Sequence, residues 1–294
     1  MNKDKPITGH MLALITIIIW GTTFISTKIL LDAFSPIEIL FFRFVLAFIA
    51  LSIIYPHKLI ISDKKQELYF AFAGLCGVTL YFLLENIALT FTLAANIGIL
   101  VSISPFFTAI FAQIFLKEKN LNIKFIIGFI VAIIGIFLIS FNGQFVIKLN
   151  TLGDVLGILA AIVWSIYSIL TKKISSFHYN TIQTTRRIFL YGLIFMLPTL
   201  IVFPFKINIL NFSNITNLLN ILYLGLGASA ICFVTWNKAI KILGAVKTST
   251  YIYIIPVVTI ITSFVVLKEK ITIIALVGAL LTLAGLFISE NKSE

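Results

Sequence analysis

Glu85 is the first residue of this chain that demands a chemical reason. It stands in the run Tyr81-Phe82-Leu83-Leu84-Glu85-Asn86, several residues short of any polar segment. A carboxylate at the centre of a bilayer costs about 2.5–3.5 kcal/mol, and less toward the surface, so it normally faces a cavity or a partner. It could carry a proton, or stand opposite an amino or cationic group of a solute. A salt bridge to Arg43 or Lys28 is the structural alternative. Arg43 and Arg187, with Arg186 beside the second, also lie inside apolar runs. Their long stems could snorkel to headgroups, pair within a helix bundle, or meet an anionic group of the solute.

Aromatic residues and prolines add a second layer. Trp20 and Trp164 fall in the middle of apolar runs, away from the membrane surfaces where Trp is commonest. Polar residues follow each at helical spacing: Thr23 and Thr27 after Trp20, Tyr167 and Thr171 after Trp164. A pair of indoles facing a cavity could stack on the apolar part of a solute; ordinary packing is the plainer reading. Pro105 and Pro256 also sit mid-run, each removing a backbone donor. Around Pro105, the residues Ala95, Gly98, Ser102 and Ala109 form a small-residue stripe that permits close backbone approach; Ser249, Tyr253 and the nearby Tyr251 and Lys247 are bulkier on the Pro256 side. The candidate solute-binding residues are therefore Trp20, Tyr81, Glu85, Asn86, Asn96, Ser102, Trp164, Tyr167, Trp236, Tyr251 and Tyr253. Pro105 and Pro256 are candidate helix breaks or gates, and Glu85 and Arg43 are candidate proton or counter-charge groups.

These residues need elements to hold them, and the composition says which. Of 294 residues, 60% are hydrophobic and 11% charged, where an ordinary soluble domain has about 25% charged residues. Soluble enzymes, disordered chains and disulfide scaffolds are excluded together. A helix needs about 20 mostly apolar residues to span a membrane, and ten segments qualify: 11–31, 36–56, 67–88, 93–116, 121–141, 153–173, 180–204, 214–237, 244–267 and 271–289. The runs are continuous and lack the alternation of barrel strands. Cys76 and Cys232 lie in such runs and read as small hydrophobes. The net charge of +11 is spread over short clusters, with no basic block for nucleic acid. Outside the three arginines, the first tail, every second loop and the last tail hold fourteen lysines, and the other face holds five. That bias places both termini in the cytoplasm of a multi-pass plasma-membrane protein.

The chain also repeats itself. At a displacement of 144, Gly9, Leu12, Trp20, Thr27, Lys28 and Arg43 fall on Gly153, Leu156, Trp164, Thr171, Lys172 and Arg187. At 151, Asn86, Ala88, Ala94 and Pro105 fall on Asn237, Ala239, Ala245 and Pro256, and Leu116-Lys117-Glu118-Lys119 recurs as Leu267-Lys268-Glu269-Lys270. Glu85 falls on Trp236, so its charge is present in one unit only. Gly128 and Gly135 are mirrored by Gly278 and Gly285. That glycine pattern suits packing within one chain, and a homodimer is the other use for it. Lys28 and Lys172 suit helix C-termini, and Glu118 and Glu269 the starts of the fifth and tenth helices. The expected fold is all-α: ten transmembrane helices as two five-helix repeats, residues 1–143 and 144–294, the second inverted because five is odd. Two such units can rock about a cavity that opens alternately to each side.

Ten spans in two such units, with the Pro-bearing fourth helix, Leu-Lys-Glu-Lys and a Gly-rich fifth, resemble the EamA-type branch of the drug/metabolite transporter superfamily. The resemblance covers nearly the whole chain, with Lys117 and Lys268 standing where that family usually has a small residue, often Gly. It implies a central cavity lined mainly by helices one, three and four and their mates six, eight and nine, and movement of small metabolites such as amino acids, with export the leading form. Uptake or exchange of another solute class, such as nucleotide precursors or cationic drugs, is the alternative. No phosphate-binding loop or His-Glu-x-x-His is present. Gly227-Ala228-Ser229-Ala230 echoes a serine-nucleophile motif, but no intramembrane His stands ready to activate it, so a membrane enzyme ranks below the transport readings, and a purely structural role lower still. The expected partners are a small solute and the bilayer, with no nucleic acid, cofactor or metal.

Overall fold

The computed structural model describes every residue except 1–4, 92–93, 119–120, 142–149, 203–204, 206–207, 209, 268–271 and 291–294. Local signals set many helix starts. Pro6 opens α1 (Pro6–Leu30), where its missing N–H is no loss. Ser35 and Glu38 cap α2 (Pro36–Ile54) reciprocally: the Ser35 N–H donates to Glu38 Oε2 at 2.8 Å, while the Ser35 hydroxyl oxygen accepts from the Glu38 N–H. Next, α3 (Gln66–Gly74) passes through a π-helical segment, Leu75–Leu80, into α4 (Tyr81–Phe91). The following span is broken: α5 (Ala94–Val101) turns at Ser102 and Ile103 into α6 (Ser104–Phe115), with Pro105 in its first turn. Then comes α7 (Ile123–Phe141).

Asn150 caps α8 (Thr151–Ser175), which is followed by α9 (Thr181–Val202) and the short α10 (Leu210–Ser213). Asn214 caps α11 (Ile215–Leu222), which continues through a second π-helical segment, Tyr223–Ile231, into α12 (Cys232–Leu243). Gly244, at φ 93°, makes the turn that other residues rarely adopt before α13 (Ala245–Ser249). A 3-10 segment, Thr250–Ile254, leads into α14 (Ile255–Leu267), with Pro256 as its second residue, and α15 (Ile273–Glu290) ends the description. Both prolines thus stand where a span breaks and restarts, the positions their chemistry favours. The two π segments fall at matching places in the two halves of the chain.

Among the described residues there are no strands. Eight helical stretches are long and apolar enough to cross a membrane, and Ile123–Ile139 and Ile273–Ser289 are shorter apolar helices. Large apolar side chains such as Ile18, Ile130, Leu197, Leu280 and Phe287 point outward, an arrangement suited to lipid and costly in water. The chain is a multi-pass membrane protein.

The glycines of α7 and α15 face one another within the chain. A Cβ on Gly135 would lie 2.5 Å from the Gly278 carbonyl oxygen, and one on Gly278 would lie 2.6 Å from that of Gly135. Gly98, by contrast, meets nothing within 4 Å, so close approach is not its role. One sequence expectation is corrected. Glu118 does not open the fifth helix: its N–H donates to the Ala112 carbonyl and closes α6, while Asn122 caps α7 by accepting from the Phe125 N–H at 2.7 Å. Glu269 lies outside the described residues. Lys117 adopts φ 57°, a left-handed conformation that glycine takes up more readily than any other residue.

Candidate functional site

Helical spacing brings Trp20, Thr23 and Phe24 of α1 to one side, and Tyr81, Phe82 and Glu85 of α4 to another. With Arg43 of α2, Val101 at the broken span, Trp164 of α8, and Ile252 and Ile255 at the Pro256 break, they line one cavity of about 40 Å3. The cavity floor is a cluster of rings. Trp20 and Trp164 meet edge to face at 5.3 Å, Trp164 lies 4.8 Å from Tyr81, and Trp20 lies 5.1 Å from Trp236. Each such pair contributes about 0.5–1.5 kcal/mol beyond its buried area, so the floor is stiff.

Two opposite charges enter this apolar space. Arg43 is 3% exposed and Glu85 is 8% exposed. Arg43 does not snorkel: its Nε donates to the Ser229 hydroxyl at 2.9 Å, and its guanidinium carbon lies 4.4 Å from the Phe82 ring centre. Ser229 belongs to the second π segment. The same segment offers the Ala228 carbonyl, which accepts from Trp20 Nε1 at 2.9 Å. The serine of the Gly227–Ala230 stretch is therefore a prop for Arg43. Glu85 makes no ion pair with Arg43 or Lys28; the one ion pair among the described residues joins Arg187 to Glu67. Glu85 Oε2 and Trp164 Nε1 are buried and have no hydrogen-bond partner there. The repeat mates thus differ: Trp20 Nε1 is satisfied and Trp164 Nε1 is free.

Other sequence candidates stand elsewhere. The Asn86 amide donates to the Pro36 carbonyl at 3.2 Å and ties α4 to α2. Ser102 bonds back to the Gly98 carbonyl at 2.7 Å within the broken span. Tyr167 donates to Asn237 at 2.6 Å, and Asn237 donates to Thr185 at 3.0 Å. Trp236 backs Trp20 without reaching the cavity wall, its Nε1 unpartnered. Tyr251 pairs with His10 Nδ1 at 2.6 Å, and Tyr253 is fully buried beside α7 and α15. The side chain of Asn96 lies outside the described residues. Phe24, Phe82, Ile252 and Ile255 are wall residues that the sequence reading passed over. Their signal was position alone: Phe24, Phe82 and Ile252 lie one turn from Trp20, Glu85 and Pro256, and Ile255 directly precedes Pro256.

A second, smaller cavity of about 10 Å3 lies between α8, α9 and α12, lined by Thr171, Thr184, Asn237 and Lys241 among others.

The model of the EamA-like transporter family matches residues 7–141 and again 151–290. An "Uncharacterized transporter" of Archaeoglobus fulgidus is 29% identical over 290 residues, covering 97% of this chain and 98% of that protein. A "Probable terminal-alkyne amino-acid exporter" of Streptantibioticus cattleyicolor is 27% identical over 294 residues, covering 100% of this chain and 96% of its own. A solved crystal structure shares the fold with a TM-score of 0.74 at 17% identity, covering 96% of both chains.

Proposed function

The chain belongs to the EamA-like transporter family, and from that premise we propose that it is a secondary transporter exporting a small organic metabolite, an amino acid or a close relative, by alternating access. In this reading ten helices form two inverted five-helix repeats, residues 1–143 and 144–294, in the plasma membrane with both termini in the cytoplasm. The solute binds in the central cavity, where Trp20, Tyr81, Glu85 and Trp164 contact it, Arg43 serves as counter-charge, and the Pro105 and Pro256 breaks let the walls move.

The observation that carries the proposal is the cavity itself. It takes walls from both halves of the chain and holds two buried charges that no ion pair neutralises. A purely structural bundle gains nothing from such an arrangement, because unpaired buried charge is costly. The relative named as an amino-acid exporter supports the solute class and the direction.

Proteoliposome counterflow with a panel of labelled amino acids tests this. Saturable exchange of at least one is expected, and Glu85→Gln is expected to slow it at least about tenfold, a charged hydrogen bond being worth about 1.5–3 kcal/mol. Unchanged transport with an unchanged pH profile in Glu85→Gln would reduce Glu85 to a structural group. Tags at either terminus should be reached only from the cytoplasmic side.

A further inference from the structure

We infer that the central cavity reads its solute as a zwitterion: Glu85 takes the ammonium group, while Arg43 and Trp164 Nε1 take the carboxylate. The inference rests on the transport reading above and adds which chemical groups the site requires. Three observations carry it.

The first is that the two charges are opposite, buried and unjoined. Arg43 spends its Nε on Ser229, and among the described residues no partner occupies its two terminal nitrogens. Those nitrogens form the planar fork that suits a carboxylate. The second is that the remaining unpartnered groups are complementary to the same ligand. Glu85 Oε2 is an acceptor awaiting a donor, and Trp164 Nε1 is a donor awaiting an acceptor; each is costly to leave buried and unmade. The third is that, beyond Tyr81 and Thr23, whose hydroxyl donates to the Trp20 carbonyl at 2.7 Å, the rest of the wall is apolar. Trp20, Phe24, Ile252 and Ile255 offer no hydrogen-bonding atom free for a polar side chain, since the one Trp20 donor is held by Ala228. An α-amino acid with an apolar side chain answers all three at once.

Solutes with one charge answer only part. An amine would satisfy Glu85 and leave Arg43 buried beside a neutral group; a carboxylic acid would do the reverse. In a medium of low dielectric each failure is expensive. A zwitterion leaves the net charge of the cavity as it was, so loading should be insensitive to membrane potential.

The test uses purified full-length protein and three sets of probes: L-leucine and L-phenylalanine, their methyl esters, which lack the carboxylate, and their N-acetyl derivatives, which lack the ammonium. Affinity is read by titration calorimetry, and flux by proteoliposome counterflow. At least one free amino acid is expected to bind about tenfold or more tighter than both its blocked forms, the difference of a single charged hydrogen bond. In Glu85→Gln the free acid should weaken by a similar factor while the N-acetyl form is unchanged. The wild-type panel stands by itself if that variant fails to fold. An ester or N-acetyl form binding as tightly as its parent overturns the zwitterion reading. So does flux of some other solute without binding of either amino acid, and in that case the transport function survives. Absence of flux for every amino acid and metabolite tried removes both.

Discussion

Trp20 and Trp164 are the same residue in corresponding places, yet their surroundings give them different tasks. The Trp20 indole donates to Ala228, so Trp20→Phe removes a buried hydrogen bond and should cost about 1 kcal/mol of stability. Trp164 has no such partner. Trp164→Phe should leave the melting temperature near that of the wild type while weakening solute affinity. Thermal denaturation and counterflow on the two variants separate these effects, and matching losses of stability in both would refute the division. Ser229→Ala belongs with them: with its hydroxyl prop removed, Arg43 is expected to keep its charge but lose its aim, raising KM more than it lowers the rate. Far from the cavity, Lys117 holds a left-handed backbone at φ 57° and is exposed. Lys117→Gly should raise stability by about 1 kcal/mol, the approximate cost of a side chain in that conformation, seen as a higher melting temperature with flux unaltered. A lowered melting temperature would mean the lysine makes a compensating contact.

At the scale of helices, the sequence was readable wherever the bilayer itself imposes the pattern. Eight long apolar stretches and two shorter ones fall where length and apolarity put spans, and the breaks at Pro105 and Pro256 follow from the missing donor. The helix edges were less legible. Glu118 has the right charge for a helix start, but Asn122 caps α7, and a one-turn difference of this kind depends on which side chain reaches the free N–H groups. The two π segments left no mark in composition, although the second positions both Arg43 and Trp20. Nor could spacing say which polar residues share the cavity. Asn86 and Tyr251 each bond another helix instead, an outcome set by helix rotation. The glycine pattern, in contrast, was legible, and its meaning can be tested. Gly135→Val places methyl groups against the backbone of α15, where even a Cβ would lie 2.5 Å from the Gly278 carbonyl oxygen. A loss of about 1–3 kcal/mol is expected. Gly98→Ala, with open space around it, should be silent. Equal melting points for the two variants would contradict the packing assigned to α7 and α15.

For the whole molecule, the decisive contrast lies at the two ends of α2, about 27 Å apart at 1.5 Å per residue. At the carboxyl end the seam between the halves is polar. Arg187 pairs with Glu67, Tyr191 donates to the same carboxylate at 2.8 Å, and Arg186 donates to the carbonyls of Tyr55 and His57. At the amino end the seam is aromatic: Phe34 lies 5.1 Å from Phe212, Phe42 lies 5.0 Å from Phe212, and Phe41 lies 5.4 Å from Phe205. A partly exposed ion pair contributes about 0–1 kcal/mol. Three aromatic contacts contribute about 0.5–1.5 kcal/mol each beyond their buried area. Contact for contact, the ion pair is therefore a smaller closure than Phe212, which meets both Phe34 and Phe42. The two native cysteines, both buried and free, report on opening through their rate of maleimide labelling. Arg187→Gln is expected to speed labelling by at most about fivefold, which corresponds to 1 kcal/mol, and Phe212→Ala to speed it more. If Arg187→Gln proves the more disruptive, the ion pair is the stronger lock, and the ranking of the two contacts must be reversed.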